Sequence, residues 1–361
     1  MLNPSRLMIA RQRAGLTKKE LAARVGVDPR AISGFEAGQY EPTEENLIRI
    51  ARATGFPREF FEADDIEVLS SEGVSFRSMS EMTAKQRDAA VAAGSIAFVL
   101  SDWVDREFDL PDVDIPDFSN ADPEVAAESL RSHWGLGVQP IKNMVHLLES
   151  KGVRVFSLAE NADEIDAYSA WRGRRPFVFL NTGKSGERRR FDAAHELAHL
   201  ILHRHAAPSG NDAEKEAHAF ASAFLMPKAS IKAFGRVVPS FDFIIQQKKK
   251  WLVSASAMTL RLHALGMLIY YHYNRLFVEL SSRGYRSGEP GGMKPETSQV
   301  WRKVFAALRS EGVGLQGLAD KLLVPPDEIV RLVFGLVTIG LPSSDASAAS
   351  PPRGSRLTVI K

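Results

Sequence analysis

The first sixty residues alternate short amphipathic stretches with turn-forming residues, a pattern that predicts four short helices. Within each stretch, apolar side chains recur every three or four positions, which places them on one helical face. Thr17, Asp28 and Thr43 precede three of the stretches, where a side-chain oxygen can cap the first amides of a helix. The predicted helices cover residues 6–13, 18–25, 29–35 and 44–53.

Further along the chain, the pattern predicts a long helix, then a few strands, then helices again. Residues 80–108 keep one apolar side over many turns, whereas 153–158 read as a strand. Two more strand candidates, 166–171 and 176–180, flank a turn that is a hairpin signal. The fold class is therefore multidomain and mainly α, with an all-α N-terminal domain, a central α+β domain with a small sheet, and a helical C-terminal region. Further helices are predicted over residues 123–134, 140–151, 185–204, 211–225, a lysine-rich region to about 265, and 295–340.

Composition narrows the class of protein. A chain of 361 residues exceeds one typical core, so two or three domains are expected. The absence of cysteine excludes disulfides, thiolate zinc sites and cysteine nucleophiles, and it suits a reducing cytosol. The N-terminus lacks a signal-peptide pattern, and no apolar run approaches the roughly 20 residues that span a bilayer. We therefore expect a cytoplasmic protein that does not contact a membrane.

Charge is segregated along the chain. Residues 62–134 carry five Lys/Arg against 17 Asp/Glu, whereas the segments on either side are net basic. An acidic middle segment can dock against basic surfaces of the same chain, guard against indiscriminate binding of nucleic acid, or remain a solvated connector. We favour the solvated connector.

The N-terminal segment carries a distinctive set of residues: Arg11–Thr17, Leu21-Ala22, Val25–Val27, Ile32-Ser33, Glu36–Gly38, Pro42 and Leu47–Ala51. It resembles a helix-turn-helix domain of the Cro/phage-repressor (XRE) type. The resemblance implies that the third helix enters the major groove of double-stranded DNA, with Arg30, Ser33 and Gly34 at base edges. Lys18 and Lys19 begin the second helix, where they can contact phosphate. A small helical bundle that docks to protein is the alternative.

The run His195-Glu196-Leu197-Ala198-His199 is an HExxH motif inside a predicted helix. Side chains at positions i and i+4 share one helical face, so His195 and His199 can bind one metal ion. Glu196 can then poise a metal-bound water. A catalytic zinc normally takes a third ligand from the protein, and the motif alone does not supply it.

Two kinds of third ligand are open. His205 stands at the tenth position after the first motif histidine, but Leu202 replaces the glycine that a fold-back would need, so we interpret His203 and His205 as surface or capping residues. The better alternative is a carboxylate from the next helix, where Glu214 adjoins the apolar packing face. His218, one turn further, is placed to hydrogen-bond a ligand and fix its orientation.

A family resemblance covers roughly residues 140–270. It is carried by Phe177–Asn181, Phe191–His203, Glu214–His218 and Phe220–Pro227, which resemble the ImmA/IrrE metallopeptidases. The resemblance implies a zincin-like domain in which His195, His199 and Glu214 bind Zn²⁺, or another divalent metal, and Glu196 is the general base. At position 218 many members carry asparagine, so this sequence departs from the family there.

Substrate contacts are less well defined by the sequence. An edge strand near residues 176–180 would hold an extended substrate by backbone pairing. Tyr168, Arg172 and His203 are candidates for stabilising the oxyanion.

Members of the family cleave cognate helix-turn-helix repressors in stress or mobile-element responses. The resemblance thus implies a DNA-binding regulator with a zinc endopeptidase domain, whose partners are operator DNA and a repressor substrate. The alternative is a regulator whose peptidase-like domain only senses a signal or acts as a scaffold, in an operon of the toxin–antitoxin type. Residues 295–340 contain either a second helix-turn-helix, over Leu315–Phe334, or a dimerisation bundle, and we favour the bundle of a homodimer.

The expected domain organisation follows from these assignments. It comprises a helix-turn-helix DNA-binding domain at 1–61, an acidic linker at 62–80, a helical connector at 81–134, a metallopeptidase domain at 135–270, a helical region at 271–340 and a disordered tail at 341–361.

Overall fold

The computed structural model describes residues 1–69, 83–158, 166–205, 211–235, 239–285 and 288–337. These residues form 16 α-helices, one 3-10 helix and a three-stranded sheet, which confirms the mainly helical multidomain fold with a small central sheet. The predicted disordered tail and residues 70–80 of the predicted acidic linker lie outside the described residues.

The elements have the following bounds. The helices are α1 (Pro4–Arg13), α2 (Lys18–Val25), α3 (Pro29–Glu36), α4 (Glu44–Thr54), the 3-10 helix (Arg58–Glu62), α5 (Ala84–Glu107), α6 (Pro123–His133), α7 (Met144–Ser150), α8 (Gly186–Leu202), α9 (Asn211–Leu225), α10 (Lys228–Lys232), α11 (Phe241–Trp251), α12 (Ala255–Ala264), α13 (Tyr270–Ser282), α14 (Gln299–Ser310), α15 (Leu315–Leu322) and α16 (Pro326–Val333). The strands are β1 (Arg154–Ser157), β2 (Ala167–Arg172) and β3 (Arg175–Leu180).

The N-terminal helices begin where their capping side chains predict. The Thr17 hydroxyl accepts from the amide of Glu20, whose carboxylate accepts from the amide of Thr17, and Asp28 and Thr43 cap α3 and α4 through their side-chain oxygens. Gly26 ends α2 in the left-handed conformation, with φ of 80°, and opens the three-residue turn to α3. All four helices contribute to one core that includes Leu7, Leu21, Ile32, Phe35 and Ile50.

The acidic helix α5 is docked against the rest of the chain. Asp102 accepts hydrogen bonds from Arg172 at 2.8 Å and Arg175 at 2.9 Å, and Asp105 accepts one from Arg154 at 2.7 Å. Its apolar side lies against α1 and the sheet. Our expectation of a solvated acidic connector is therefore wrong for α5, because its carboxylates pair with arginines of the strands.

The sheet has the strand order β1-β3-β2. β1 pairs parallel with β3, and β2 pairs antiparallel with β3 through the hairpin at Gly173-Arg174. The expectation that residues 176–180 form an edge strand is wrong, because both sides of β3 are already paired. In this sheet the edge strands are β1 and β2.

Helix α8 packs along α9 and against β2 and β3. Two buried arginines fasten its N-terminal half to more distant segments. Arg190 pairs with the Glu296 carboxylate and donates to the carbonyl of Ile141, while Arg189 donates to the carbonyls of Glu296 at 3.2 Å and Gly335 at 3.0 Å. The C-terminal part of the chain thus fixes one end of the helix that carries the HExxH motif.

Helices α15 and α16 repeat the geometry of α2 and α3. Each pair consists of two eight-residue helices separated by three residues, and the first turn residue is left-handed in both, with φ of 80° and 57°. The amide of Val27 donates to the carbonyl of Ala22 at 3.0 Å, and that of Val324 donates to Ala319 at 3.1 Å. The helix-turn-helix interpretation of Leu315–Phe334 describes this local geometry better than the bundle we favoured.

Candidate functional site

Two helices bring three metal-binding side chains together. His195 and His199 lie one turn apart on α8, and Glu214 lies in the first turn of α9. The Nε2 atoms of the histidines are 3.1 Å apart. Glu214 Oε2 is 3.3 Å from Nε2 of His195, and Glu214 Oε1 is 3.6 Å from Nε2 of His199. The three side chains that the sequence proposed as ligands therefore face one point.

The spacing of these donor atoms fits a zinc ion. With ligand distances of about 2.0–2.1 Å, tetrahedral coordination holds neighbouring donor atoms about 3.3 Å apart. The observed separations of 3.1 to 3.6 Å agree with that value. Burial lowers the pKa of His195 to about 4, so this ring is neutral, as a metal ligand must be. Two imidazoles and one carboxylate also leave a fourth position for water or substrate.

Glu196 lies on α8 between the two histidines and is 2% exposed. Its carboxylate oxygen Oε2 accepts a hydrogen bond of 2.6 Å from the hydroxyl of Ser169 on β2. Burial raises the pKa of Glu196 to about 7, although the nearby His199 and the hydrogen bond from Ser169 act in the opposite direction. A carboxylate with a pKa near neutrality is suited to accept and return a proton.

His203 contacts a proposed ligand directly. It caps the C-terminal end of α8, and its Nδ1 atom is 3.0 Å from Nδ1 of His199. Its other ring nitrogen, Nε2, is 2.9 Å from a carboxylate oxygen of Glu216 on α9. The sequence predicted the capping position of His203 but missed both of these contacts.

The other two histidines near the motif differ in their surroundings. The ring of His218 lies 4.6 Å from that of His195 and 5.6 Å from that of Phe191, measured between centroids. His205 is exposed, and its Nε2 atom is 2.6 Å from a carboxylate oxygen of Asp117. His218 is thus beside a proposed ligand, whereas His205 pairs with the chain segment before α6.

The two faces of β2 have different roles. Ser169 and Trp171 face α8, where the Trp171 indole donates to the carbonyl of Leu200 at 3.2 Å. Tyr168 and Arg172 face α5: the Tyr168 hydroxyl donates to the carbonyl of Ala90, and Arg172 pairs with Asp102. Tyr168 and Arg172 were candidates for oxyanion stabilisation, and this expectation is wrong because both side chains face α5. Since side chains alternate along a strand, Ser169 and Trp171 lie on the opposite face, and Ser169 is the one that contacts Glu196.

Four of the five residues predicted to contact DNA are exposed. Lys18 and Lys19 at the start of α2, and Arg30 and Ser33 on α3, are all exposed. Lys18 also pairs with Glu36 at 3.2 Å. The start of α3 is thus accessible to a partner, with a guanidinium at its second position.

Gly34 differs from these residues because it is buried. A Cβ atom at this position would lie 2.3 and 2.4 Å from two ring carbons of Tyr40 and 2.5 Å from its hydroxyl oxygen. That hydroxyl donates to the carbonyl of Arg30 at 3.2 Å. The half-exposed ring of Tyr40 therefore covers α3 at Gly34.

Two segments of the chain match known protein families. Residues 7–61 match the helix-turn-helix family, and residues 148–263 match the IrrE N-terminal-like domain of the M78 peptidases. The chain is also similar to a protein of Methanothermobacter thermautotrophicus described as an uncharacterized HTH-type transcriptional regulator. The two are 46% identical over 63 residues, which cover 18% of this chain and 86% of that protein.

No helix among the described residues is long and apolar enough to cross a membrane. The two family matches cover the capped helices α1–α4 and the segment that holds His195, His199 and Glu214. The chain therefore belongs to the helix-turn-helix transcriptional regulators of the XRE type, and it carries an IrrE/ImmA-like domain of the M78 peptidase family behind its DNA-binding domain.

Proposed function

We propose that this protein is a DNA-binding regulator whose central domain is a zinc endopeptidase that cleaves a cognate repressor in a stress or mobile-element response. The observation that carries the proposal is the convergence of His195, His199 and Glu214 within 3.6 Å beside the buried carboxylate of Glu196. The fusion to a helix-turn-helix domain supports a regulatory substrate, because it gives the peptidase an address on DNA.

In this proposal His195, His199 and Glu214 hold the zinc ion, which when bound polarises the scissile carbonyl and lowers the pKa of a water molecule. Glu196 accepts a proton from that water at its carboxylate and later delivers it to the leaving amine. Ser169 holds the Glu196 carboxylate in place through its 2.6 Å hydrogen bond. Of the three oxyanion candidates, Tyr168 and Arg172 face α5, whereas His203 contacts His199 and Glu216.

The sequence indicated β3 as the strand that pairs with the substrate, and we propose β2 instead. β2 is an edge strand of the described sheet, and its Ser169 contacts Glu196. We place an extended segment of the repressor along the open edge of β2, where backbone pairing would hold it beside Glu196.

DNA binding completes the proposal. The exposed N-terminal end of α3 carries Arg30 and Ser33, and Lys18 and Lys19 lie at the start of α2. We propose that Arg30 and Ser33 contact base edges of an operator, with the lysines on phosphate and the ring of Tyr40 next to them.

The test uses purified full-length protein with zinc and the helix-turn-helix repressors encoded near its gene. Cleavage fragments are identified by mass spectrometry. Glu196→Gln should retain zinc and lower the cleavage rate by at least about 100-fold, because it removes the proton acceptor. Glu128→Gln, an exposed glutamate of α6, is the matched control and should cleave normally.

A regulator that uses its peptidase-like domain only as a sensor is the second candidate. A specific contact favours it: Arg13 of the helix-turn-helix domain pairs with Glu328 of α16 at 2.6 Å, so the DNA-binding domain is coupled to the region that anchors α8. If Glu196→Gln binds zinc and operator and changes no transcriptional output, the sensor interpretation replaces the endopeptidase.

A further inference from the structure

We infer that His203 and Glu216 form a positioning pair that sets the tautomer and orientation of His199 for metal binding. The inference rests on the proposed zinc site and adds two residues to it that touch neither the metal nor the substrate. Nδ1 of His199 is 3.0 Å from Nδ1 of His203, and Nε2 of His203 is 2.9 Å from Oε2 of Glu216. These distances make a continuous chain from the metal-facing side of His199 to a carboxylate.

The protons in this chain have one consistent arrangement. The Nε2 atom of His199 faces the other ligands, so it must offer a lone pair and the proton must sit on Nδ1. That N–H then donates to Nδ1 of His203, which must be unprotonated. His203 consequently carries its proton on Nε2, which donates to the Glu216 carboxylate. Each donor therefore meets an acceptor.

Both partners are placed by the same two helices that place the ligands. His203 lies one turn after His199 and closes α8, where its amide donates to the His199 carbonyl at 3.1 Å. Glu216 lies two residues after Glu214 on α9. The pair therefore links α8 to α9 beside the ligands, and any shift of one helix relative to the other would break it.

The other histidine ligand provides an internal contrast. Nδ1 of His195 is buried and has no hydrogen-bond partner among the described residues. His195 is held by ring contacts instead, with His199 at 4.8 Å and His218 at 4.6 Å between centroids. The tautomer of His199 is thus fixed by a partner, whereas that of His195 is not.

The first measurement is zinc affinity, determined by competition with a chromophoric chelator on the full-length protein. Removing the acceptor with His203→Leu should weaken zinc binding by about 10- to 100-fold, the range usual for partners that orient a metal ligand. His203→Gln keeps an amide oxygen that can accept from Nδ1 of His199, so it should bind zinc more tightly than His203→Leu. Glu216→Ala should weaken binding in the same direction.

Comparing His203→Leu with His203→Gln distinguishes a role of His203 in positioning His199 from a role in packing. The His203 side chain is only 9% exposed, so a packing role would favour leucine over the polar glutamine. His205→Leu, two residues away with its own carboxylate partner, is the control and should leave zinc affinity unchanged. Equal affinities of wild type, His203→Leu and Glu216→Ala would overturn the inference.

The second measurement does not need metal. In the metal-free protein, ¹⁵N-detected NMR of the imidazoles should show His199 protonated on Nδ1, and His203→Leu should shift it toward the Nε2–H form. An unchanged tautomer would also overturn the inference. If the wild-type protein binds no zinc but the tautomer responds as expected, the proposed function fails, and what stands is that His203 sets the tautomer of His199.

Discussion

Arg13 and Glu328 form a buried ion pair between the first and the last helix of the described chain. Nε of Arg13 lies 2.6 Å from a carboxylate oxygen of Glu328, and the two side chains are 0% and 6% exposed. A second N–H of Arg13 donates to the carbonyl of Ala89 on α5 at 3.1 Å. One guanidinium thus joins the helix-turn-helix domain, α5 and the C-terminal helices, and it does so through the helix-turn-helix-like pair α15–α16.

Breaking this pair on one side should destabilise the attachment of the helix-turn-helix domain. Arg13→Ala leaves the buried Glu328 carboxylate with Arg331, 3.2 Å away, as a remaining partner, so the cost should lie below the about 3–5 kcal/mol of a buried charge with no partner. Hydrogen exchange should show α1 opening more readily, while α8 keeps its protection. The double variant Arg13→Ala/Glu328→Ala should recover part of the loss, since neither charge is then left alone.

The control for this prediction is an exposed pair. Arg283, the residue after α13, pairs with Glu279 at 2.7 Å and lies 4.0 Å from the ring centroid of Phe241. The two charged side chains are 53% and 29% exposed, so Arg283→Ala should cost at most about 1.5 kcal/mol. Similar exchange in Arg13→Ala and Arg283→Ala would show that the buried pair does not hold the domains together.

Zinc binding should require the side chains of His195, His199 and Glu214. We expect one zinc per chain in the wild type and none in His195→Ala or Glu214→Ala, measured by atomic absorption after dialysis against the same zinc buffer. At a zinc concentration of 100 times the Kd, the ion should stabilise the wild type by about 2.7 kcal/mol, seen as a raised Tm. His205→Ala is the control and should behave as the wild type does. Full zinc occupancy in Glu214→Ala would place the third ligand elsewhere.

Much of the fold and of this site could be predicted because the signals are local. Capping residues such as Thr17 and Thr43 show where a helix begins. The helical repeat places His195 and His199 on one face, whatever other elements pack nearby. Glu214 could be proposed because it adjoins the packing face of the next helix.

The contacts that escaped prediction depend on relations between distant elements. Alternation along β2 showed that Tyr168 and Ser169 face opposite ways, but only the packing of α5 and α8 decides which face meets the site. β3 is the central strand because it pairs in parallel with β1, and β2 lies between these two strands in the sequence. The sequence placed Gly34 at a base edge, and it missed that Gly34 is buried, because the ring that covers it comes from Tyr40 in the following turn.

Ser169→Ala should lower kcat without affecting zinc affinity. The substitution removes the 2.6 Å hydrogen bond that holds the buried Glu196 carboxylate, so this general base loses its fixed orientation. We expect about a tenfold loss in kcat, the size of a typical neutral-to-charged hydrogen bond of about 1.5 kcal/mol. Tyr168→Phe removes the neighbouring hydroxyl on the opposite face of β2 and serves as the control for cleavage rate. If both variants cleave at the wild-type rate, Ser169 has no part in positioning Glu196.

Substitutions of Arg30 and Lys19 should weaken DNA binding in different ways. Arg30→Ala removes an exposed guanidinium from the start of α3, and we expect a loss of about 1–3 kcal/mol on the operator with relaxed preference at one base pair. Lys19→Ala should weaken binding to all sequences alike and reduce the slope of log K against log salt by about 0.9. Fluorescence anisotropy over a salt series, with operators selected from random DNA, measures both effects. Arg52→Ala, an exposed arginine in the last turn of α4, is the control and should change neither. If Arg30→Ala and Lys19→Ala bind DNA as Arg52→Ala does, the exposed end of α3 is a surface for docking protein instead.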